Sequence, residues 1–232
     1  MRFLIVVLAI PTSLVVWQWW SDSSTERTLA PVVSAIAGRE VEVDCQTFWG
    51  ALIDPLARHG EVRFDASGIP ERRIFLTHET CDRLAAFAHD RRHSALVCLA
   101  SIDWRSGSEF SPGDQCYETA TPTVYALLTL AHEAYHTAGI VNESLTNCFA
   151  TQSMGYAASA LGAPDDEAVA VAAAMASLLP HQRDDYRTSE CVAGSRLDLF
   201  PETPAFPTEV PIRPNAGRGG LKGLAAGNLV TR

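Results

Sequence analysis

Six cysteines, spaced singly along the chain, are the sequence feature that most restricts how this protein can fold. They occur at Cys45, Cys81, Cys98, Cys116, Cys148 and Cys191. Their number is even and no two form a CxxC pair of the kind found in zinc ribbons, so the pattern predicts three disulfides and a domain that folds where thiols oxidise. The preferred pairs are Cys98 with Cys116 and Cys148 with Cys191, although the sequence alone leaves the connectivity open. Buried free thiols in a reducing compartment are the alternative.

The N-terminal segment agrees with an oxidising compartment. Residues 3–20 contain no charged side chain and follow Arg2, and tryptophans cluster at the end of the run. This length is at the short end for a spanning helix, and no small-x-small cleavage site follows directly. We therefore predict that residues 1–20 are a membrane anchor and that the rest of the chain lies outside the cytoplasm. A cleaved signal peptide followed by secretion is the alternative.

The remainder of the chain is predicted to hold one folded domain between two less ordered segments. Residues 21–38 are rich in Ser, Thr and Ala and are predicted to be a linker, whereas the Pro/Gly-rich residues 201–232 are predicted to be a flexible tail. Residues 39–200 have the apolar periodicity of a core and form the predicted catalytic domain. The sequence gives no indication of the oligomeric state.

The first half of this domain contains the main β signal. Val62–Phe64 and Arg73–Leu76 alternate polar and apolar residues around a Gly/Pro turn, which predicts two strands or a loose hairpin. Helical spacing predicts short helices over residues 43–56 and 80–88, while residues 94–102 suit either a buried strand or a helix. The expected fold class is therefore α+β and mainly helical, with the small β element upstream.

The second half is predicted to be helical. Thr121 is a plausible N-cap with Pro122 as the first helical residue, and the apolar repeat that follows runs to Gly139. A second helix is expected from about residue 142 to 161, and a third from about 165 to 179, where acidic residues open the helix.

The strongest chemical signal is the sequence His132-Glu133-Ala134-Tyr135-His136 within the first of these helices. Residues four apart share one face of a helix, so both imidazoles can bind one metal ion while Glu133 points into the neighbouring cleft. A carboxylate in that place can act as a general base toward water, which makes HExxH a typical hydrolase motif. We predict a Zn²⁺ site with His132 and His136 as ligands and Glu133 as the catalytic residue.

The motif resembles that of the zincin metallopeptidases, and Asn142-Glu143-x-x-Thr146-Asn147 is similar to the second ligand helix of the gluzincins. The resemblance implies that Glu143 is the third zinc ligand and that Asn147, where such families often have Asp, orients a ligand histidine. The spacer between the two elements is shorter than in thermolysin-like enzymes. Asn142 stands where metzincins place their third ligand, but an amide is a poor ligand for zinc.

The expected function is that of a zinc-dependent peptidase acting on a peptide or protein substrate outside the cytoplasm. The alternative is a non-catalytic exported module with a structural zinc site, for which Cys148 could supply a fourth ligand. Tyr186 and His181 are either surface residues or donors near the reacting carbonyl. Nucleic acid is a poor candidate partner because the formal net charge is -9 and no basic cluster is present.

Overall fold

A computed structural model describes residues 23–47, 50, 59–90, 93–104 and 110–202. The predicted anchor, residues 1–20, and nearly all of the predicted tail lie outside this description. Among the helices of the described residues, none combines the length and the apolarity needed to cross a bilayer.

Residues 23–37 form helix α1, so the prediction of a linker over residues 21–38 is wrong. The helix is amphipathic, and its apolar side chains, including Leu29, Val33 and Ile36, are buried in the core of the domain. Their spacing of three and four residues is the helical period, whereas most of the Ser and Thr residues that suggested a linker precede Leu29 in the first turns of the helix. The folded domain therefore begins at or before residue 23.

The described residues form a small mixed sheet of strands β1 (Glu42–Cys45), β2 (Gly60–Phe64) and β3 (Pro70–Leu76). The strand order is β1-β3-β2, with β1 parallel and β2 antiparallel to β3. The turn between β2 and β3 is closed by the Asp65 carboxylate, which accepts backbone hydrogen bonds from Ser67 and Ile69. The predicted hairpin is thus confirmed, and β2 lies at the edge of the described sheet.

The helix predicted over residues 43–56 is wrong for residues 43–45, which belong to β1. Val43 and Cys45 are buried while Glu42 and Asp44 are more exposed, which is the two-residue period of a strand. Val43 pairs with Ile74 of β3, so the partner that selects the strand lies far along the chain. Most of the remaining range, residues 48–49 and 51–58, is outside the described residues.

Helices make up most of the described domain, which confirms a mainly helical α+β fold. They are α2 (His78–His89), α3 (Ser94–Ala100), α4 (Gln115–Thr137), α5 (Glu143–Gln152), α6 (Met154–Ala160) and α7 (Asp165–Leu178), followed by two 3₁₀ turns at Leu179–His181 and Asp184–Tyr186. Helix α4 is central, because α2, α3, α5 and the sheet all pack against it.

Helix α4 begins earlier than predicted. Its N-cap is Asp114, whose carboxylate accepts the Cys116 N–H at 2.7 Å, and Pro122 lies inside the helix rather than at its start. An internal proline costs about 3 kcal/mol in an isolated helix, so packing must outweigh it here. Leu127, Leu130 and other side chains on successive turns of α4 are fully buried and supply that packing.

The second predicted helix is interrupted at Ser153, which separates α5 from α6. The Ser153 hydroxyl makes a 2.7 Å hydrogen bond to the hydroxyl of Tyr135 on α4. This buried pair fixes the break against the central helix, and burial raises the pKa of Tyr135 to about 12. The third predicted helix is confirmed as α7.

All six cysteines are paired, as Cys45–Cys81, Cys98–Cys116 and Cys148–Cys191. Both preferred pairs are therefore confirmed. The first bond joins β1 to α2, the second joins α3 to the start of α4, and the third joins α5 to the segment after the 3₁₀ turns. Three disulfides indicate that the domain folds in an oxidising, extracytoplasmic environment.

Removing the Cys148–Cys191 bond by a double substitution to serine is expected to lower the free energy of unfolding by about 4 kcal/mol, because the bond closes a long loop. The sequence separation is 43 residues, against 18 for Cys98–Cys116, whose removal should cost about 3 kcal/mol. Urea denaturation of the two double variants measures both. A reversed order of the two losses would contradict the expectation.

Candidate metal centre

The last turns of α4 place His132 and His136 next to each other on one face. Their ring centroids are 4.6 Å apart with the rings nearly perpendicular, and each residue is 7% exposed. The helix stops directly after them, because Gly139 has a φ of 96° that favours glycine. Gly139 N–H donates to His136 O and Ile140 N–H donates to Tyr135 O, which together form a Schellman cap. The cap turns the chain back toward the two imidazoles.

Glu143 is the first residue of α5 and lies directly opposite the two imidazoles. Its Oε2 is 2.9 Å from His132 Nε2 and 3.4 Å from His136 Nε2. One potential ligand atom from each of the three residues lies within 4.8 Å of the others. Two imidazole nitrogens and one carboxylate oxygen on a shared centre form a donor set that could hold a metal ion.

The two alternative ligands lie elsewhere. The Asn142 side chain caps α5 by accepting hydrogen bonds from the Ser144 hydroxyl and the Leu145 N–H. Cys148 is bonded to Cys191 and has no thiolate to offer. The short spacer between His136 and Glu143 is therefore long enough for Glu143 to reach the two imidazoles. The cap at Gly139 ends α4, and α5 begins at once with Asn142 as its N-cap, so the chain reverses over a few residues.

Each imidazole has a polar neighbour in addition to Glu143. His136 Nδ1 is 2.7 Å from the Ile140 carbonyl oxygen, so its Nε2 faces Glu143. Asn147 lies near enough to His132 to raise the pKa of its imidazole slightly, and the Asn147 amide nitrogen donates to the Tyr186 carbonyl at 2.8 Å. Contacts of this kind fix the ring and its tautomer in metal sites.

The electrostatics of the three residues favour an ionised Glu143. Hydrogen bonds with His132 and then His136 hold the pKa of Glu143 far below its usual value. Burial lowers the pKa of His132 more than its hydrogen bond to Glu143 raises it. For His136 burial also lowers the pKa, but the hydrogen bond to Glu143 and the charge of Glu133 outweigh it, so the net shift is upward.

These shifts predict how metal affinity depends on pH. Protons compete with a metal for imidazole nitrogen, so affinity should be constant above the raised pKa of His136 and fall by about tenfold per pH unit below it. The slope should approach about 100-fold per unit only at lower pH, where His132 also takes a proton. Glu143 stays ionised throughout and adds nothing to the slope. Competition titration with a chromophoric chelator between pH 5 and pH 8 measures the curve, and a flat curve would contradict it.

Glu133 lies beside this cluster without belonging to it. The residue is 6% exposed and lines a cavity of about 830 Å³ together with His132 and Glu143. Ala126 and Thr129 of α4 also line the cavity, together with residues of α2 and of the 182–186 segment. A substrate in this cavity would therefore meet the Glu133 carboxylate and two of the three potential ligands, His132 and Glu143.

Several residues of the cavity were not anticipated. Tyr125 and Gln182 are hydrogen-bonded to each other at 2.8 Å across the cavity, and Gly60 lines it from β2. Tyr186 is one of the two residues that the sequence suggested as hydrogen-bond donors to the reacting carbonyl. Its ring lies 5.8 Å from that of His132. The other, His181, is exposed and is not among the lining residues. Only long-range packing brings these residues together, so no local pattern could have identified them.

No protein-family model, curated protein or solved structure matches this chain.

Proposed function

We propose that the protein is a zinc-dependent peptidase of the zincin type. The proposal is based on one observation, the convergence of His132, His136 and Glu143 beside a cavity that His132, Glu143 and Glu133 line. A His₂Glu donor set leaves a coordination position open, as catalytic zinc sites require. Since Cys148 is in a disulfide, it offers no fourth ligand that would close the site.

In this proposal His132, His136 and Glu143 would hold the zinc ion, which would supply the Lewis acid that activates water for attack on a peptide carbonyl. Glu133 accepts the proton that the attacking water loses and then delivers it to the leaving nitrogen. Its burial beside the cluster keeps bulk water from competing for that proton. Asn147 and the Ile140 carbonyl hold the two imidazoles in place, so the ligand atoms are arranged before the metal binds.

We also propose that the enzyme works outside the cytoplasm on a membrane tether. The three disulfides support the compartment. The tether rests on the apolar residues 3–20 and the preceding Arg2.

The test is metal analysis combined with a broad peptide-hydrolysis assay on the oxidised protein. We expect about one zinc ion per chain, loss of hydrolysis when a chelator removes it, and recovery when zinc is added back. Zinc bound at this stoichiometry without hydrolysis of any peptide in a diverse library would favour the alternative, a non-catalytic zinc-binding module. Absence of tight zinc binding would contradict both.

A further inference from the structure

The first residue of β2 lies unusually close to the side chain of Glu133. A Cβ atom on Gly60 would be 2.8 Å from Glu133 Cγ and 2.8 Å from Thr129 Cγ2, and 3.1 Å from a methyl of Leu76. Contacts shorter than about 3.0 Å do not occur between packed carbon atoms, so no larger residue fits without movement. The strand backbone thus rests directly on the aliphatic part of the glutamate.

Glycine is needed here for space rather than for backbone conformation. The glycines with a positive φ in the described chain are at turns and helix ends, and Gly60 is not among them.

The backbone at Gly60 is also held in place by hydrogen bonds. Gly60 pairs with Leu76 of β3, and the His59 carbonyl accepts hydrogen bonds from the Thr77 N–H at 3.2 Å and the Thr80 hydroxyl at 3.0 Å. The strand therefore cannot move away from Glu133 without breaking these bonds.

We propose that Gly60 is a positioning residue that sets the direction of the Glu133 carboxylate toward the cavity. This inference rests on the proposed function, in which Glu133 is the general base. Glutamate has three rotatable bonds, and on an open helix surface its carboxylate would sample many positions. Contact with a fixed backbone at Cγ removes the rotamers that would occupy the same space. The carboxylate is then held where it can receive a proton, and placement within about 1 Å matters strongly for such transfers.

The contact can be measured without activity by a thermodynamic cycle. Gly60→Ala is expected to lower Tm by about 4–8 °C in the parent protein, because overpacking a tight contact destabilises it. In a Glu133→Ala background, which lacks the Cγ atom, the same change should lower Tm by less than about half as much. If Gly60→Ala alone does not fold, folding of the double variant supports the proposal and failure of the double variant contradicts it.

A second cycle with Thr129→Ser separates the two close contacts. This change removes Thr129 Cγ2 and leaves Glu133 intact, so a large part of the Gly60→Ala loss in Tm should remain. The proposal would be overturned if Gly60→Ala lowered Tm equally in the parent and Glu133→Ala backgrounds and caused no loss in Tm in the Thr129→Ser background. Gly60 would then serve only the packing of β2 on α4.

Steady-state kinetics of the zinc-loaded protein test whether Gly60 affects catalysis. Gly60→Ala should lower kcat by about 10- to 100-fold while zinc content is unchanged and KM stays within about threefold. The control is Ile74→Val, a substitution in the buried centre of β3 that should also lower Tm but keep kcat. Full kcat in Gly60→Ala would refute the positioning role. Absence of hydrolysis by the parent protein would instead refute the proposed function.

Discussion

Replacing Glu133 with glutamine is expected to lower kcat by about 1000-fold while leaving about one zinc ion bound. Glutamine has the same shape but cannot accept the proton that water loses, and Glu133 is not one of the three clustered ligand residues. KM should change little, since the cavity walls are unaltered. Steady-state peptide hydrolysis and metal analysis of the same preparation measure both effects.

A matched control is Glu79→Gln. Glu79 lines the same cavity but is paired with Arg83 on α2 at 2.7 Å and lies away from the histidines. Its replacement should change kcat by less than about tenfold. If Glu133→Gln lost its zinc, the assignment of this residue as base rather than ligand would be wrong.

Replacing Glu143 with alanine is expected to weaken zinc binding by about 1000-fold or more. The carboxylate is the only acid that contacts both imidazoles in the described part of the chain, and without it two neutral nitrogens remain for a divalent cation. Hydrolysis at limiting zinc should be lost in parallel. Competition with a chelator of known affinity measures the change.

Two further variants define the specificity of that result. Glu118→Ala removes an acid from the first turn of another helix, α4, at an exposed site that does not line the cavity, so zinc affinity should not change. Asn147→Ala removes the amide next to His132 and should cost about 10- to 100-fold in affinity or activity. A larger loss for Asn147→Ala than for Glu143→Ala would reverse the roles assigned to these residues.

The sequence predicted those residues of the candidate site that lie close to one another along the chain. His132 and His136 follow from helical spacing, and Glu143 from a short turn and the start of the next helix. Residues that reach the cavity from β2 or the 182–186 segment, such as Gly60 and Gln182, depend on contacts between distant parts of the chain. Sequence periodicity contains no information about those contacts.

Two of the errors in the fold also arise from contacts between distant parts of the chain. Pro122 is a favourable first residue of a helix, but Asp114 caps α4 a full two turns earlier, and tertiary packing retains the proline inside. Residues 43–45 fit a helical pattern in isolation and become a strand because β3 supplies a partner. Helix α1 was the avoidable error, since Leu29, Val33 and Ile36 already showed the amphipathic spacing.

The tight cap between α4 and α5 has a consequence for the order in which the protein matures. All three potential ligands lie within one helical hairpin, so bringing them together closes a very short loop. Placing the third ligand four times as far along the chain would cost about 1.2 kcal/mol more in loop-closure entropy. A metal ion bound to this set would therefore stabilise the hairpin even before the Cys148–Cys191 bond, which joins α5 to the segment after the 3₁₀ turns, has formed. Metal capture would then guide folding of the hairpin rather than follow completion of the domain.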